Sequence, residues 1–208
     1  MKQFHNLLAA LCFSLVLLPQ TALSSQSAGQ GAGPTVRAAD AAAEEKARNY
    51  FSDLEVIDQN GKHLRFYSDV LKDRVVLISF IFTNCQDACP MVAQKLKKTR
   101  SLMVDSIRDD VWFVSISVDP ERDTPEAMKN FARKQDVDES RWIFLTGDKQ
   151  NLDTIVRKLG QFTPDFEAHT TLMLAGSDLT RHWTRVVPMT PPAGIAMQMR
   201  DLVEESSR

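Results

Sequence analysis

The sequence predicts an α/β fold in which a mixed central sheet is flanked by helices. Two long apolar runs, residues 75–82 and 111–118, carry this prediction. Their β-branched and aromatic residues are typical of strands that are buried on both faces. Apolar residues at helical spacing follow each run, and two strand patterns near the C-terminal end are close enough to pair as a hairpin.

The length and charge of the chain limit the classes of protein it can be. With 208 residues it is long enough for one domain of ordinary size and a tail. Its formal net charge of -2 comes from mixed acidic and basic residues. This composition lacks the basic surface of a nucleic-acid-binding protein, so we expect no nucleic-acid partner.

The first elements predict an N-terminal β-hairpin. Residues 51–57 and 63–67 are short, partly alternating runs, and the pair Asn60-Gly61 between them favours a tight turn. A short turn or helix at residues 69–73 then leads into the first long strand. After that strand, apolar residues at helical intervals predict a helix that begins at Cys85 and Cys89, and Pro90 is tolerated in its first turn.

The second half of the chain continues the alternation of strands and helices. Thr124 followed by Pro125 is typical of a helix N-terminus, and Gly160 of a position just past a helix end. The predicted elements are a helix to about residue 135, a strand at 142–145, a helix at 148–159, a hairpin of 170–175 with 181–186 turning at 176–178, and a helix at 192–205. A thioredoxin-like fold is the simplest architecture of this order with two cysteines at the end of its first long strand.

Three segments are expected along the chain. Residues 1–24 have the layout of a secretory signal peptide, with an apolar stretch at 7–18 that is shorter than the roughly 20 residues a spanning helix needs. A retained anchor is the alternative. Residues 25–45, rich in Ser, Gln, Gly and Ala, are expected to form a flexible linker, and residues 46–208 the folded domain. The chain is therefore expected in the periplasm or at the outer face of the inner membrane.

Two cysteines lie where the first long strand meets the following helix. Cys85 and Cys89 are four residues apart, so in a helix their sulfur atoms would lie on one face. A helix N-terminus stabilises thiolates, which are both nucleophiles and soft metal ligands. The alternatives are a structural disulfide or two inert buried thiols.

His169 is the candidate third ligand, because it stands at the start of a predicted strand after a polar loop. Two thiolates and one imidazole favour Cu(I) and can also accept Cu(II) with a further oxygen or nitrogen donor. Zinc is an alternative, although a structural zinc site usually has four protein ligands. Without the cysteines, a capping or core role would be the preferred interpretation of His169. His63 and His182 lie within predicted strands and are treated as structural or surface residues.

Two acidic residues follow the second long strand. If the long strands are parallel, Asp119 and Asp123 lie at the same edge of the sheet as the cysteines. They could begin the next helix, or they could support a metal ligand or attract a metal donor. Asp119 is the preferred candidate of the two.

Three motifs together resemble the Sco/SenC family of copper-binding, thioredoxin-like proteins. They are Cys85-x-x-x-Cys89-Pro90 after Phe82-Thr83, the stretch 117–125 with Asp119-Pro120 at its centre, and the distal His169. The resemblance implies a copper site formed by Cys85, Cys89 and His169. It also implies a role in cytochrome c oxidase assembly, either copper delivery to the CuA centre or reduction of that centre's cysteines.

The sequence departs from the family pattern in two places. Gln86 stands where the family usually has proline, although the acidic neighbour Asp87 is kept and is a candidate for supporting the site together with Asp119. Residues 170–178 replace the family's usual aromatic-rich strand and Asp-Gly turn. These departures leave the three ligands intact and leave open another cuproenzyme as the client.

An enzymatic alternative is a thiol-disulfide oxidoreductase of the cell envelope, with Cys85 as the attacking thiol and Cys89 as the resolving thiol. Dedicated oxidoreductases have two residues between their cysteines, whereas this chain has three. A role in redox or copper homeostasis is a related alternative. The expected partners of the metallochaperone are a copper-donor protein and a cuproenzyme subunit, each bound transiently by a monomer.

Overall fold

The structure is a computed structural model that describes residues 34–137, 140–168 and 171–208. Its strands are β1 (Glu55–Asp58), β2 (His63–Arg65), β3 (Val75–Ile81), β4 (Val111–Ser117), β5 (Trp142–Thr146), β6 (Met173–Ser177) and β7 (His182–Val186). Its α-helices are α1 (Pro34–Phe51), α2 (Ala88–Ser101), α3 (Asp105–Arg108), α4 (Pro125–Gln135), α5 (Lys149–Lys158) and α6 (Pro192–Ser206). A π-helix at Phe66–Leu71 and a 3₁₀ turn at Phe166–Ala168 complete the described elements.

The strands form one mixed sheet in the order β2-β1-β5-β4-β3-β6-β7. The central strands β3, β4 and β5 are parallel, whereas β1 and β6 join them in the antiparallel direction. This arrangement confirms the predicted α/β class with a mixed central sheet. Because β3 and β4 are parallel, their carboxyl ends lie side by side, which places the segments after Ile81 and Ser117 at one edge.

The sheet has a hydrophobic core on each face, and β3 contributes side chains to both cores. Leu77 and Ile81 pack on the face covered by α2, α4 and α6, together with Cys89. Val76, Ile78 and Phe80 pack on the opposite face, which α5 and the end of α1 cover. All seven residues of β3 are buried, as expected for a strand without polar alternation. The cysteine turn therefore belongs to the first of these two faces.

The helix ends follow the predicted capping chemistry. The Thr124 hydroxyl accepts a hydrogen bond from the Ala127 amide at 3.2 Å, and Pro125 occupies the first helical position of α4. The Asp148 carboxylate caps α5 in the same way, accepting from the Asn151 amide at 3.0 Å. Beyond α5, Gly160 has a φ of +72°, a conformation that glycine adopts without steric cost.

Helix α1 differs from the expectation for the start of the chain. It begins at Pro34, within residues 25–45 that were expected to be a flexible linker, and it ends at Phe51, which was expected to begin a strand. Alanine is the strongest helix former, and the stretch is rich in it. An ion pair between Arg48 and Glu44, one helical turn apart, adds to the helix at an N···O distance of 2.6 Å. The proposed signal peptide lies outside the described residues.

The C-terminal hairpin also turns later than expected. The turn was predicted at residues 176–178, but β6 continues through Ser177 and the chain reverses between Asp178 and Arg181. Gly176 is not a turn residue. It lies beneath the Trp183 ring, and a Cβ at this position would come within 2.3 Å of the indole. The glycine is therefore required by close packing within the sheet and not by a turn.

Among the described helices, none is long and apolar enough to cross a membrane.

Buried hydroxyl groups in the sheet centre give a stability prediction. Ser115 Oγ accepts a hydrogen bond from Trp142 Nε1 at 3.0 Å and bonds to Ser79 Oγ at 3.0 Å. We expect Ser115→Ala to lower the free energy of unfolding by about 1–3 kcal/mol, because the buried indole N–H loses its acceptor. Urea denaturation followed by circular dichroism measures the change.

Ser101→Ala is the matched control, since the Ser101 hydroxyl is exposed and donates to the Lys98 carbonyl of its own helix, α2. We expect this variant to change the free energy of unfolding by less than about 0.5 kcal/mol. An unchanged urea midpoint for Ser115→Ala would contradict the importance of the buried network.

Candidate metal centre

The two cysteines occupy different structural positions. Cys89 is the second residue of α2, whereas Cys85 lies in the turn between β3 and that helix, where its amide donates to the Phe82 carbonyl at 3.2 Å. The helix was expected to begin at the cysteines, with both sulfur atoms on one helix face. The structure corrects this, because α2 begins at Ala88 and Cys85 precedes it.

The Cys85 sulfur instead acts as a cap for α2. Its Sγ atom accepts a hydrogen bond from the Cys89 amide at 3.3 Å. The side chain of Asp87, the residue at the capping position, makes no such bond. Cys85 therefore satisfies one of the free amides at the helix N-terminus, and the chain turns so that the two thiols are neighbours.

The environment of Cys85 favours its thiolate. Partial burial raises the pKa of this thiol, but hydrogen bonds from the backbone amides of Cys89, Asp87 and Ala88 and from the Cys89 side chain outweigh that effect, so the pKa is lowered. The positive end of the α2 dipole acts in the same direction. Cys85 is also partly exposed. The structure thus gives this sulfur both a route to solvent and a stabilised anionic form.

Cys89 has the opposite environment. Its side chain is only 1% exposed and belongs to the core cluster that includes Ala93 and Leu96 of α2. Burial raises the pKa of the Cys89 thiol to about 12, and the neighbouring Cys85 adds to the increase. In the metal-free protein Cys89 is therefore a protonated thiol beside a more acidic one.

Asp123 joins the cysteine turn to the end of β4. Its Oδ1 accepts hydrogen bonds from the Thr83 amide at 3.0 Å and the Thr83 hydroxyl at 2.6 Å. Its Oδ2 accepts from the Ser117 hydroxyl at 2.6 Å. The side chain is completely buried, and this burial raises the pKa of the carboxyl group against the lowering effect of its hydrogen bonds.

Asp119 lies near the same edge but makes a different contact. It is 4% exposed and accepts a hydrogen bond from Arg122 Nε. The Arg122 guanidinium lies 4.7 Å from the ring centre of Phe166, and that ring packs edge-on against Phe82 at a centroid distance of 5.2 Å. Asp119 is therefore connected through Arg122 to the loop before β6, whereas Asp123 is hydrogen-bonded directly to Thr83 in the turn before the cysteines.

The other proposed site residues are placed as follows. His169, the expected third ligand, lies outside the described residues. Asp87 is exposed and lies between the two cysteines. Within the described ranges, no group of three or more His, Cys, Asp or Glu side chains is arranged to hold a metal ion. His63 and His182 are surface residues that contact Glu55 and Glu205, respectively.

The sequence pattern favours Asp119 over Asp123 and does not point to Arg122 or Phe166. One signal could have found Asp123: Thr124 alone accounts for the cap of α4, which leaves a neighbouring acid without a role at the helix start. For Phe166 no local signal exists, because its contact with Phe82 joins residues 84 positions apart.

The fold and the site define a class of protein. The protein has a sheet with a parallel centre, and the turn after β3 places one partly exposed and one buried thiol at a helix N-terminus. These features define a thioredoxin-like dithiol protein. Its donor set suits either soft-metal binding or thiol-disulfide exchange.

The chain belongs to the SCO1/SenC family, whose family model matches residues 42–203. The SCO1 protein homolog of Bacillus subtilis is 41% identical over 95 residues, which are 45% of this chain and 47% of that protein. A SCO2-like protein of Rickettsia conorii is 36% identical over 110 residues, 53% of this chain and 51% of that protein. The chain thus spans about half the length of these curated relatives.

Solved structures of this family share the fold. ScoI of Bradyrhizobium japonicum with copper bound is 27% identical, with a TM-score of 0.60, covering 71% of this chain and 96% of that one. BsSco, described as a Sco-family cytochrome c oxidase assembly protein with a disulfide switch, is 27% identical, with a TM-score of 0.62, covering 74% and 93%. These likenesses confirm the predicted family and the thioredoxin-like fold.

The unequal thiols predict unequal alkylation rates. In the reduced, metal-free protein we expect iodoacetamide to modify Cys85 at least about tenfold faster than Cys89 near neutral pH, because Cys85 is partly exposed and has the lower pKa, whereas Cys89 is buried. Peptide mass spectrometry over time measures both rates. In urea the two rates should become similar, and equal rates in the native protein would contradict the assigned asymmetry.

The buried carboxylate predicts a further stability effect. Asp123→Ala leaves the Thr83 amide and two hydroxyl groups without their acceptor, and we expect it to lower the free energy of unfolding by roughly 3 kcal/mol. Asp110→Ala, at an exposed position before β4, is the control and should change it by less than about 0.5 kcal/mol. Equal urea midpoints for the two variants would argue against the role of Asp123.

Proposed function

We propose that this protein is a metallochaperone that binds copper through Cys85, Cys89 and His169 and delivers it to a cuproenzyme, namely the CuA site of cytochrome c oxidase. The single observation that carries the proposal is the pair of neighbouring thiols at the start of α2 in a chain of the SCO1/SenC family. A copper-bound family member with the same fold supports it.

The donor set fits copper. Thiolate sulfur is a soft ligand that favours Cu(I), and an added imidazole also allows Cu(II). The Cys85 sulfur already accepts a hydrogen bond from the Cys89 amide, which holds the two cysteines side by side, so little rearrangement is needed for both sulfur atoms to bind one ion. A closed zinc site fits less well, because within the described residues no further cysteine or histidine lies beside the two thiols.

The contact of Phe166 with Phe82 supports His169 as the third ligand. Phe166 lies three residues before His169 in the sequence, and Phe82 lies three residues before Cys85. The ring contact, together with Arg122 above Phe166, holds the loop that leads to His169 against the cysteine turn.

The unequal exposure of the thiols suits release as well as binding. Cys85 is reachable from solvent, so a thiol or imidazole of a partner can enter there and take over the copper by ligand exchange. Cys89 holds the ion from the buried side and must first lose its proton, since its pKa in the metal-free protein is about 12. Copper binding therefore releases a proton, and its affinity rises with pH.

The partners and the location follow from this role. A copper-donor protein and a cuproenzyme subunit would bind one after the other, through transient contacts with a monomer. Residues 1–24, read as a signal peptide, would direct the domain at 46–208 to the periplasm or to the outer face of the inner membrane. If the signal is not cleaved, it holds the domain near the membrane.

A second candidate function is supported by the same thiols. Neighbouring thiols of unequal pKa can exchange with a disulfide, with the more acidic Cys85 attacking and Cys89 displacing the partner from the mixed disulfide. The dithiol is oxidised and one partner disulfide is reduced to two thiols. A disulfide switch is described for the related BsSco. The client would then be the pair of CuA cysteines or another envelope disulfide.

Anaerobic copper titration of the reduced protein tests the main proposal. We expect one Cu(I) per chain, and a Cu(II) form with sulfur-to-copper charge transfer in its absorption spectrum. Cys85→Ser, Cys89→Ser and His169→Ala should each weaken binding on the order of a hundredfold, because each removes one of three ligands. Competition with a chelator of known copper affinity measures the change.

His182→Ala is the matched control. His182 is an exposed histidine at the start of β7, paired with Glu205, and β7 begins at the end of the sheet opposite the cysteine turn. Its removal should leave copper affinity unchanged. Copper affinity that is indifferent to His169→Ala would remove His169 from the ligand set. Weak copper binding together with disulfide reduction by His169→Ala would favour the oxidoreductase.

A further inference from the structure

A groove lies on the sheet face opposite the cysteines, and the proposed copper function does not use it. It is bounded by α1, the end of α5 and the β6–β7 hairpin, and its volume is about 910 Å³. Its apolar residues, Phe51, Leu159, Leu174 and Trp183, pack in the core cluster that excludes Cys89. This volume lies within the range of small-molecule binding sites.

One face of α1 leaves this space open. Ala43, Lys46, Ala47 and Tyr50 line the groove, and their spacing of three to four residues places them along one side of the helix. The two alanines have no side chain long enough to fill the gap between the helix and the sheet. Space remains because these positions carry small residues.

The floor of the groove is an aromatic surface held in a fixed orientation. Trp183 lies directly on Gly176 of the neighbouring strand, in a place that any Cβ would occupy, and it packs against Phe51 at a ring-centroid distance of 4.6 Å. Phe51 in turn contacts Tyr50 edge-on at 4.8 Å. A flat apolar molecule or an alkyl chain can pack on such a surface without reorganising it.

The rim of the groove is strongly basic although the whole chain is slightly acidic. Four basic residues line it, namely Lys46, Lys158, Arg181 and Arg185, against the single acidic residue Asp178. All four are exposed, and none makes an ion pair within the described residues. Lys158 Nζ donates one hydrogen bond to the Asn49 carbonyl at 2.8 Å and keeps two further N–H donors. The Asp178 carboxylate already accepts hydrogen bonds from the Tyr67 hydroxyl at 3.2 Å and the Asp73 amide at 3.1 Å.

We infer that this groove binds a small organic acid, whose apolar chain or ring packs on Trp183 and whose acidic group is held by the basic rim at Lys158 and Arg185. The geometry favours a carboxylate, because Arg offers a planar pair of donors that matches it and Lys adds a point charge. The site is separate from the cysteines, so its occupant is not a ligand of the metal.

Titration of the full-length protein with 2-naphthoate and with decanoate tests the inference by isothermal calorimetry. We expect saturable binding with a Kd of about 1 mM or below for at least one of the two acids. The neutral analogue 2-naphthamide should bind at least about tenfold more weakly than 2-naphthoate, because it lacks the charge that the rim holds. Equal binding of the acid and the amide would overturn the assignment of an acid, and no saturable binding of either acid would overturn the site.

Variants that remove basic residues from the rim test whether the acid binds in this groove. The double variant Lys158→Gln/Arg185→Gln should weaken acid binding at least about tenfold. The matched control Arg133→Gln/Lys134→Gln removes the same charges from exposed positions on α4, on the other sheet face, and should leave binding unchanged. An equal loss in both double variants would show non-specific attraction and overturn the inference.

Filling the groove gives an independent test that does not alter charge. Ala43→Phe places a ring in the open space from a half-buried position on α1, and it should abolish acid binding while circular dichroism stays unchanged. Unchanged binding in this folded variant would overturn the location. If only phosphatidylglycerol vesicles bind, and neither acid does, the groove is a membrane-contact surface and the inference is wrong.

Discussion

The hydrogen bonds of Asp123 are the constraint on which the candidate metal centre depends. This one buried carboxylate holds Thr83, after β3, and Ser117, at the end of β4, so the carboxyl ends of two parallel strands are fixed to each other. The turn that carries Cys85 starts from Thr83, and its position relative to α2 follows from this attachment. A charged group without such partners would be costly at this depth, whereas three donors make it a structural anchor.

The same turn places the two cysteines in different environments, so that their thiols differ in exposure and in pKa. The Cys85 sulfur caps α2 from the preceding turn by accepting a hydrogen bond from the Cys89 amide, while the Cys89 side chain enters the core. Burial and hydrogen bonding move their pKa values in opposite directions. For a copper carrier this difference gives one sulfur that partners can reach and one that retains the ion. For a disulfide reductant it gives an attacking and a resolving thiol.

Most of the fold could be predicted from local patterns. The buried strands, the cap at Thr124 and the helix stop at Gly160 depend on neighbours in the sequence, and the structure confirms them. The expectations that differed were α1, the start of α2 and the C-terminal turn. The small and polar residues at 25–45 predicted a linker, but the alanine content and an ion pair give a helix from Pro34. Gly176 predicted a turn, but its lack of a side chain instead allows Trp183 to pack against the neighbouring strand.

The sequence by itself determined the class of chemistry, because two cysteines at a strand end before a helix, followed by a distal histidine, restrict the site to soft metals or thiol exchange. It also determined the family, through motifs that are contiguous in the chain. Only the tertiary structure decided which acid holds the cysteine turn, which thiol stays partly exposed, and that Phe166 packs on Phe82. The physical reason is that burial and hydrogen-bond partners arise from contacts between distant segments, which local residue patterns do not encode.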